Sequence, residues 1–231
     1  VTKQSIEILF EDNHLIAVNK PAGLLIQKGQ DSDDESLEEL VKEYIRTTYD
    51  KPGEAFIGVV HRLDRPVSGV VLFAKTSKAL VRMNKQFAER ETKKVYWAVV
   101  IKRPPEEKGK LVHWIRKDQE KNKSKAFDKE AKHTKYAELN YKMLAGSDNY
   151  TLLEVYPKTG RHHQIRVQLA KMGCIIRGDL KYGAPRSNPD GSIHLHARRL
   201  EFEHPVKKEP VVIMARVPKE NLWLEFERMA Q

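Results

Sequence analysis

The sequence predicts an α+β fold, a mixed and mostly antiparallel central sheet flanked by helices and loops. Two observations carry this. Strand-like segments outnumber helical ones, and many are joined by hairpin-like turns. The chain has 231 residues, enough for one large domain or two small ones with a substantial core. Its 32% charged and 40% hydrophobic residues are a globular balance.

The elements follow in order. Residues 6–11 and 14–19 read as strands joined by an Asp12-Asn13 turn, and Lys20-Pro21-Ala22-Gly23 breaks the second. Residues 28–36 are polar and aperiodic, which predicts a mobile loop. Ser36, with Glu39 three positions on, forms a capping box for a helix whose buried face is Leu37, Leu40, Val41, Tyr44 and Ile45. Pro52-Gly53 closes that element.

Residues 69–75 are continuously apolar, as in a strand covered on both faces. Ser77 is read as the cap of a helix over 78–90 with Leu80, Met83 and Phe87 inward, and 94–101 as a strand. Between Arg116 and Lys135 stand eight Lys or Arg and four Asp or Glu. This segment, within 102–135, is either a solvated hairpin or a basic arm that tracks phosphates. Strands at 134–144 and 149–156 flank a hairpin loop. His162 to Met172 reads as a helix, with Ile165, Leu169 and Met172 inward and Gly173 as its stop. Arg166 would lie near the start of that helix, where the dipole disfavours a cation, so it needs a partner. Strands at 199–203 and 210–217 and a short element with Leu222, Trp223 and Phe226 complete the chain. No internal repeat stands out, and the whole chain, 1–231, reads as a single domain.

Composition and motifs narrow the function. The single Cys174 excludes an internal disulfide and reads as a small buried apolar residue. No apolar stretch approaches the ~18 residues of a membrane span, and no signal-peptide pattern opens the chain, which suits a cytoplasmic location. Lys and Arg number 42 against 32 Asp and Glu, a net charge of +10 that favours a polyanionic partner such as RNA. Nine histidines invite a metal reading through His61, Asp64, His162, His163, Asp179, His194 and His196, but no metal-ligand spacing supports it. No glycine-rich phosphate loop and no nucleophile elbow around Ser68 appears.

The most suggestive stretch is His61-Arg62-Leu63-Asp64-Arg65, followed by Pro66, Gly69 and an apolar strand. A polar loop leading into a buried strand is a rigid mount for reactive groups. Asp64 is the only carboxylate between Glu54 and Glu89 and has Arg62 and Arg65 beside it. Opposite charge favours its ionised form. On these residues alone, a structural ion pair closing the loop is the commoner explanation.

The run HRLDRPVSGVVLFAK resembles the signature of the RluA-type pseudouridine synthases, H-R-L-D-x-x-T-S-G-L-L-L-F-A-K. Five further blocks resemble that family in the same order: ILFEDNHLIAVNKPAGLL at 8–25, KKVYWAVV at 93–100, KTGRHHQIRVQLAKMG at 158–173, GDLKYG at 178–183 and LHARRLEFEHP at 195–205. The resemblance implies a pseudouridine synthase-like fold and an enzyme that isomerises specific uridines in structured ribosomal or transfer RNA. Asp64 would be its catalytic aspartate, Arg166 the arginine paired with it, and Tyr96 the aromatic against the target uracil. Arg62 would help hold RNA with the target base turned out, with His61, Arg65, Arg161, His163 and Gln164 as further RNA-binding candidates. No cofactor and no metal are implied; a monomer is favoured. Val67 stands where the family usually has Thr, and Gln168 where it usually has His. The alternatives are an inactive basic RNA-binding or assembly protein and, more weakly, a metal nuclease.

Overall fold

The computed structural model describes residues 6–29, 34–50 and 53–231. In chain order the elements are β1 (Glu7–Glu11), β2 (Leu15–Lys20), α1 (Leu37–Thr48), β3 (Gly58–Val59), β4 (Ser68–Ala74), α2 (Ser77–Glu89), β5 (Lys93–Val100), β6 (Lys108–Asp118), β7 (Lys123–Phe127), β8 (Lys135–Gly146), β9 (Thr151–Pro157), α3 (Gln164–Lys171), a 3-10 turn (Leu180–Tyr182), β10 (Leu195–Glu203), β11 (Pro210–Met214) and α4 (Asn221–Met229). This is the predicted α+β class. The chain forms two compact units, one from residues up to Lys93 with Ala197–Arg216, the other from Lys94–His196 with Val217–Gln231.

In the first unit β2 pairs antiparallel with β1 on one side and β4 on the other, β3 adds to β4, and β10 pairs with β11. β4 is buried at every position, because both faces of the β2–β4 pair are covered. Leu37, Val41 and Ile45 of α1 pack with Ile16, Val18, Val71 and Phe73. Ala79 and Met83 of α2 pack on the other face with Leu15, Ala17, Val70 and Leu72. Each of the Val, Leu, Ile, Met and Phe side chains among these contributes about 1.5–3 kcal/mol by leaving water. The capping box of α1 is present, with Ser36 and Glu39 exchanging side chain–backbone bonds. The β1–β2 turn is closed by Asp12, whose Oδ1 accepts the N–H groups of His14 and Leu15 at 2.8 and 2.9 Å.

In the second unit the antiparallel order is β5-β9-β8-β6-β7. α3 lies on one face, Val167 packing with Ile115, Ala126 and Ala137. α4 lies on the other at the β5–β9 end, Trp223 and Phe226 packing with Trp97, Val99 and Leu152. Cys174 is buried, and burial raises its thiol pKa, consistent with a packing residue.

Several boundaries differ from the prediction. α2 is capped by Thr76, whose hydroxyl accepts from the Ala79 amide at 3.2 Å, so Ser77 is already helical. The helix expected over 162–172 begins at Gln164, because His163 has φ +53° and cannot continue an α-helix backward. His162 therefore shares no helix face with Arg166. Residues 164–169 are buried on all sides, whereas Met172, expected inward, is half-buried. The strand expected over 210–217 ends at Met214. Residues 30–33 of the expected mobile loop and Pro52 of the Pro52-Gly53 breaker lie outside the described residues.

Candidate active site

The loop His61–Val67 is held by its backbone. Lys20, fully buried at the end of β2, donates from Nζ to the carbonyls of Pro21, Leu24 and Arg65 at 2.9, 2.8 and 3.1 Å. The amide of Gly23 donates to the same Arg65 carbonyl at 2.8 Å, and the Arg65 side chain returns a bond to the Gly23 carbonyl at 2.8 Å. The Lys-Pro-Ala-Gly turn and the signature loop are thus one laced structure. The Val67 amide closes a tight turn on the Asp64 carbonyl at 3.0 Å. Burial lowers the Lys20 pKa to about 7; the charge of Asp64 opposes this and that of Arg65 adds to it. In the protonated form, three carbonyls match the three N–H donors of an ammonium.

The glycine of the signature has a steric reason. Gly69 has φ +116°, and a Cβ there would lie 2.3 Å from the Ala197 carbonyl oxygen. That close approach seats β4 beside β10. At the loop itself Arg62 and Arg65 are exposed, and Asp64 and His61 half-buried. His61 Nε2 accepts the Leu72 amide at 3.1 Å, and its ring stacks on Phe87 at 5.0 Å. The ring so engaged braces β4 against α2. Arg65 also reaches Asp34 at 3.0 Å on the surface.

The second unit gathers four more of the candidates into one cluster. Arg166 makes a two-bond ion pair with Asp179, Nε to Oδ2 at 2.7 Å and Nη2 to Oδ1 at 2.8 Å, both side chains buried. Its guanidinium lies 5.2 Å from the centre of the Tyr182 ring. The partner that its place on the helix demands therefore includes Asp179. Two bonds do not saturate a guanidinium with five donors.

Tyr182 ties the cluster together. Its hydroxyl accepts the Ser124 amide of β7 at 2.8 Å and bonds His163 Nδ1 at 2.9 Å. Burial raises its pKa, so the phenol keeps its proton. His162 stacks on His163 at 3.8 Å and meets Ser124 Oγ at 2.9 Å. Gln164 is a peg: Oε1 accepts from the Arg161 amide and the Thr159 hydroxyl at 2.9 and 2.7 Å, and Nε2 donates to the Glu138 carbonyl at 3.0 Å. Arg161 Nε holds the Tyr136 carbonyl at 2.8 Å. The Gly-Arg-His-His-Gln and Gly-Asp-Leu-Lys-Tyr-Gly blocks are thus two halves of one fastening. Gly178 belongs to it, since a Cβ there would meet the Ser192 carbonyl oxygen at 2.7 Å.

Tyr96 on β5 is half-buried and pairs with Val155, which pairs with Tyr141. That register puts it on the sheet face that α3 covers. Gln168 is fully buried, its amide nitrogen bonding the Leu111 carbonyl at 3.2 Å and His113 at 3.0 Å, so it fixes α3 to β6.

Comparison with known proteins decides the family. The family model described as RNA pseudouridylate synthase matches residues 14–171. The chain belongs to the RNA pseudouridylate synthase family. It is 34% identical over 95% of its length to a protein named tRNA pseudouridine synthase C of Salmonella typhi, covering 88% of that protein. It is 35% identical over 90% of its length to the ribosomal large subunit pseudouridine synthase C of Buchnera aphidicola, covering 66% of it. Among solved structures, human RNA Pseudouridylate Synthase Domain Containing 4 matches with a TM-score of 0.79 at 24% identity, over 97% of this chain and 92% of that one, which speaks for the fold. As an RNA pseudouridine synthase it catalyses an isomerisation. No helix among the described residues is long and apolar enough to cross a membrane.

Sequence reasoning missed Lys20, and it named Asp179 only as a possible metal ligand and not as the partner of Arg166. Signals existed for both. Lys20 ends an apolar strand immediately before a Pro, and Asp179 is the first carboxylate after an arginine that needs one.

Proposed function

We propose that this pseudouridine synthase modifies uridine in transfer or ribosomal RNA in the cytoplasm, with Asp64 as its reacting carboxylate. The observation that carries the reading is the mounting of Asp64. It stands on a loop whose backbone is laced to Lys20 and Gly23 and that leads straight into the fully buried β4, so the carboxylate is carried on a fixed support.

The reaction breaks the bond from ribose C1′ to uracil N1, turns the base and joins C1′ to C5. N1 gains a proton and C5 loses one, so atoms and electrons balance with no external reactant. A carboxylate is competent to start this by attacking C1′, by adding to C6 of the ring, or by removing the ribose 2′ proton. Arg166 is the proposed charge partner of that carboxylate. Tyr96 is the proposed stacking face for the uracil, worth about 1–3 kcal/mol on the scale of base–aromatic contacts. A uridine in a stack cannot react, so it must be flipped out, and Arg62, Arg65 and Arg161 are the proposed holders of the flanking backbone. His61, His163 and Gln164 are the further proposed RNA contacts, each side chain oriented by an internal bond.

The test is a map of pseudouridines in cellular RNA with the wild-type gene, without it, and with Asp64→Asn. Loss of the same sites in both deficient strains is expected. Purified Asp64→Asn should lose at least ~1,000-fold in turnover while still binding RNA. Turnover retained by that variant removes Asp64 from the role.

A further inference from the structure

The face of the second unit opposite α3 carries an arrangement that the isomerisation does not use. Phe127 of β7, Trp114 of β6 and Tyr136 of β8 stand directly opposite one another, Trp114 in register with both neighbours. They form a row of three aromatics across three adjacent strands. Alternation sends them away from the buried Ile115, Ala126 and Ala137, which face α3. Trp114 and Phe127 are half-buried, and Tyr136 is 38% exposed. The Trp114 and Tyr136 rings meet edge to face at 5.7 Å. Arg116 and Lys125 both lie over the Phe127 ring, at 5.2 and 5.3 Å. Glu138, the carboxylate next to Tyr136, accepts the Tyr136 hydroxyl and is matched by Lys110 at 3.2 Å.

We propose that this row is a platform for a short single-stranded RNA segment, separate from the pocket that takes the target uridine. The inference rests on the reading of the chain as an RNA enzyme. Three rings on neighbouring strands, spaced about 4.8 Å apart, span two or three nucleotides. Sheet-borne aromatics are a general device for stacking unpaired bases. Two cations beside the rings supply charge for the phosphates between those bases, on a chain carrying +10 overall. A protein partner would meet a row flanked by cations rather than a continuous apolar surface, so single-stranded RNA is the better match. The platform would hold a strand flanking the modified site and set which RNAs bind well.

The probe is a fluorescently labelled hexa-adenylate, which contains no uridine and cannot be a substrate. Of the three tryptophans, Trp97 and Trp223 are 8% and 3% exposed, so quenching of tryptophan emission by the oligonucleotide reports on Trp114. Wild-type protein should bind and be quenched. Trp114→Phe should bind within about twofold, by anisotropy, and lose the quench. Arg116→Glu with Lys125→Glu should weaken binding about tenfold or more and flatten its salt dependence; unchanged melting would show that the fold is intact. Quenching that persists in Trp114→Phe, or binding untouched by the charge reversals, overturns the proposal. So does concentration-dependent self-association that disappears with Arg116→Glu, since the face would then be a contact between copies. If hexa-adenylate behaves as expected while Asp64→Asn keeps its turnover, the platform stands and the assignment of Asp64 falls.

Discussion

The loop around Asp64 and the turn around Arg166 have similar sequences, each crowding Arg and His about one ion-pairing group, yet they are held in opposite ways. The first is fixed through main-chain carbonyls gripped by Lys20 and Gly23. The second is fixed through side chains, with Gln164, His163, Tyr182 and Asp179 each making the bonds that keep the turn closed. A backbone-held loop tolerates replacement of its side chains. A turn held by side chains does not, because each replacement leaves a buried donor or acceptor unmatched.

That difference can be broken from the second unit first. Asp179→Ala leaves the buried guanidinium of Arg166 without its carboxylate, and a loss of about 3–5 kcal/mol is expected by urea denaturation. A loss below about 1 kcal/mol would mean that solvent or another anion takes over. In the first unit Lys20→Met takes the shared ammonium from the Pro21, Leu24 and Arg65 carbonyls, with an expected loss on the order of 3 kcal/mol, and should loosen hydrogen exchange at Gly23. The same lysine sharpens the comparison through pH. Its pKa is about 7 when folded and 10.5 ordinarily, so between those values the unfolded chain binds more protons and stability rises with pH. The rise is about 5 kcal/mol at most and should be absent from Lys20→Met. A wild-type curve parallel to the variant's would remove the lysine from the titration. The smallest effect is expected from Arg65→Ala, whose surface bridge to Asp34 contributes under about 1 kcal/mol. A melting shift matching that of Asp179→Ala would erase the contrast between the two fastenings.

Much of the fold was legible because local chemistry and burial agree. The capping box at Ser36 and Glu39 announces α1, and an unbroken apolar run announces β4, which proves buried on both faces. The start of α3 was not legible. A left-handed residue at His163 delays the helix to Gln164, two positions after the expected start at His162, and nothing in a His-His pair marks that conformation. The motif blocks name the candidate residues, but the bonds that those side chains make within the protein were not legible. Nothing in the polar run announces that Gln164 bonds the Glu138 carbonyl or that His163 bonds the Tyr182 hydroxyl. A lysine sealed inside a turn leaves no periodic trace either.

Gly69 against the Ala197 carbonyl has a temporal consequence. The two residues are 128 apart, and the whole stretch from Lys94 to His196, which belongs to the other unit, is translated between them. The signature loop can form early, but the strand that its glycine admits does not exist until the ribosome has passed residue 200. A nascent chain therefore displays its aspartate before the scaffold is complete, and maturation of the enzyme should lag synthesis by the time needed to close that long excursion.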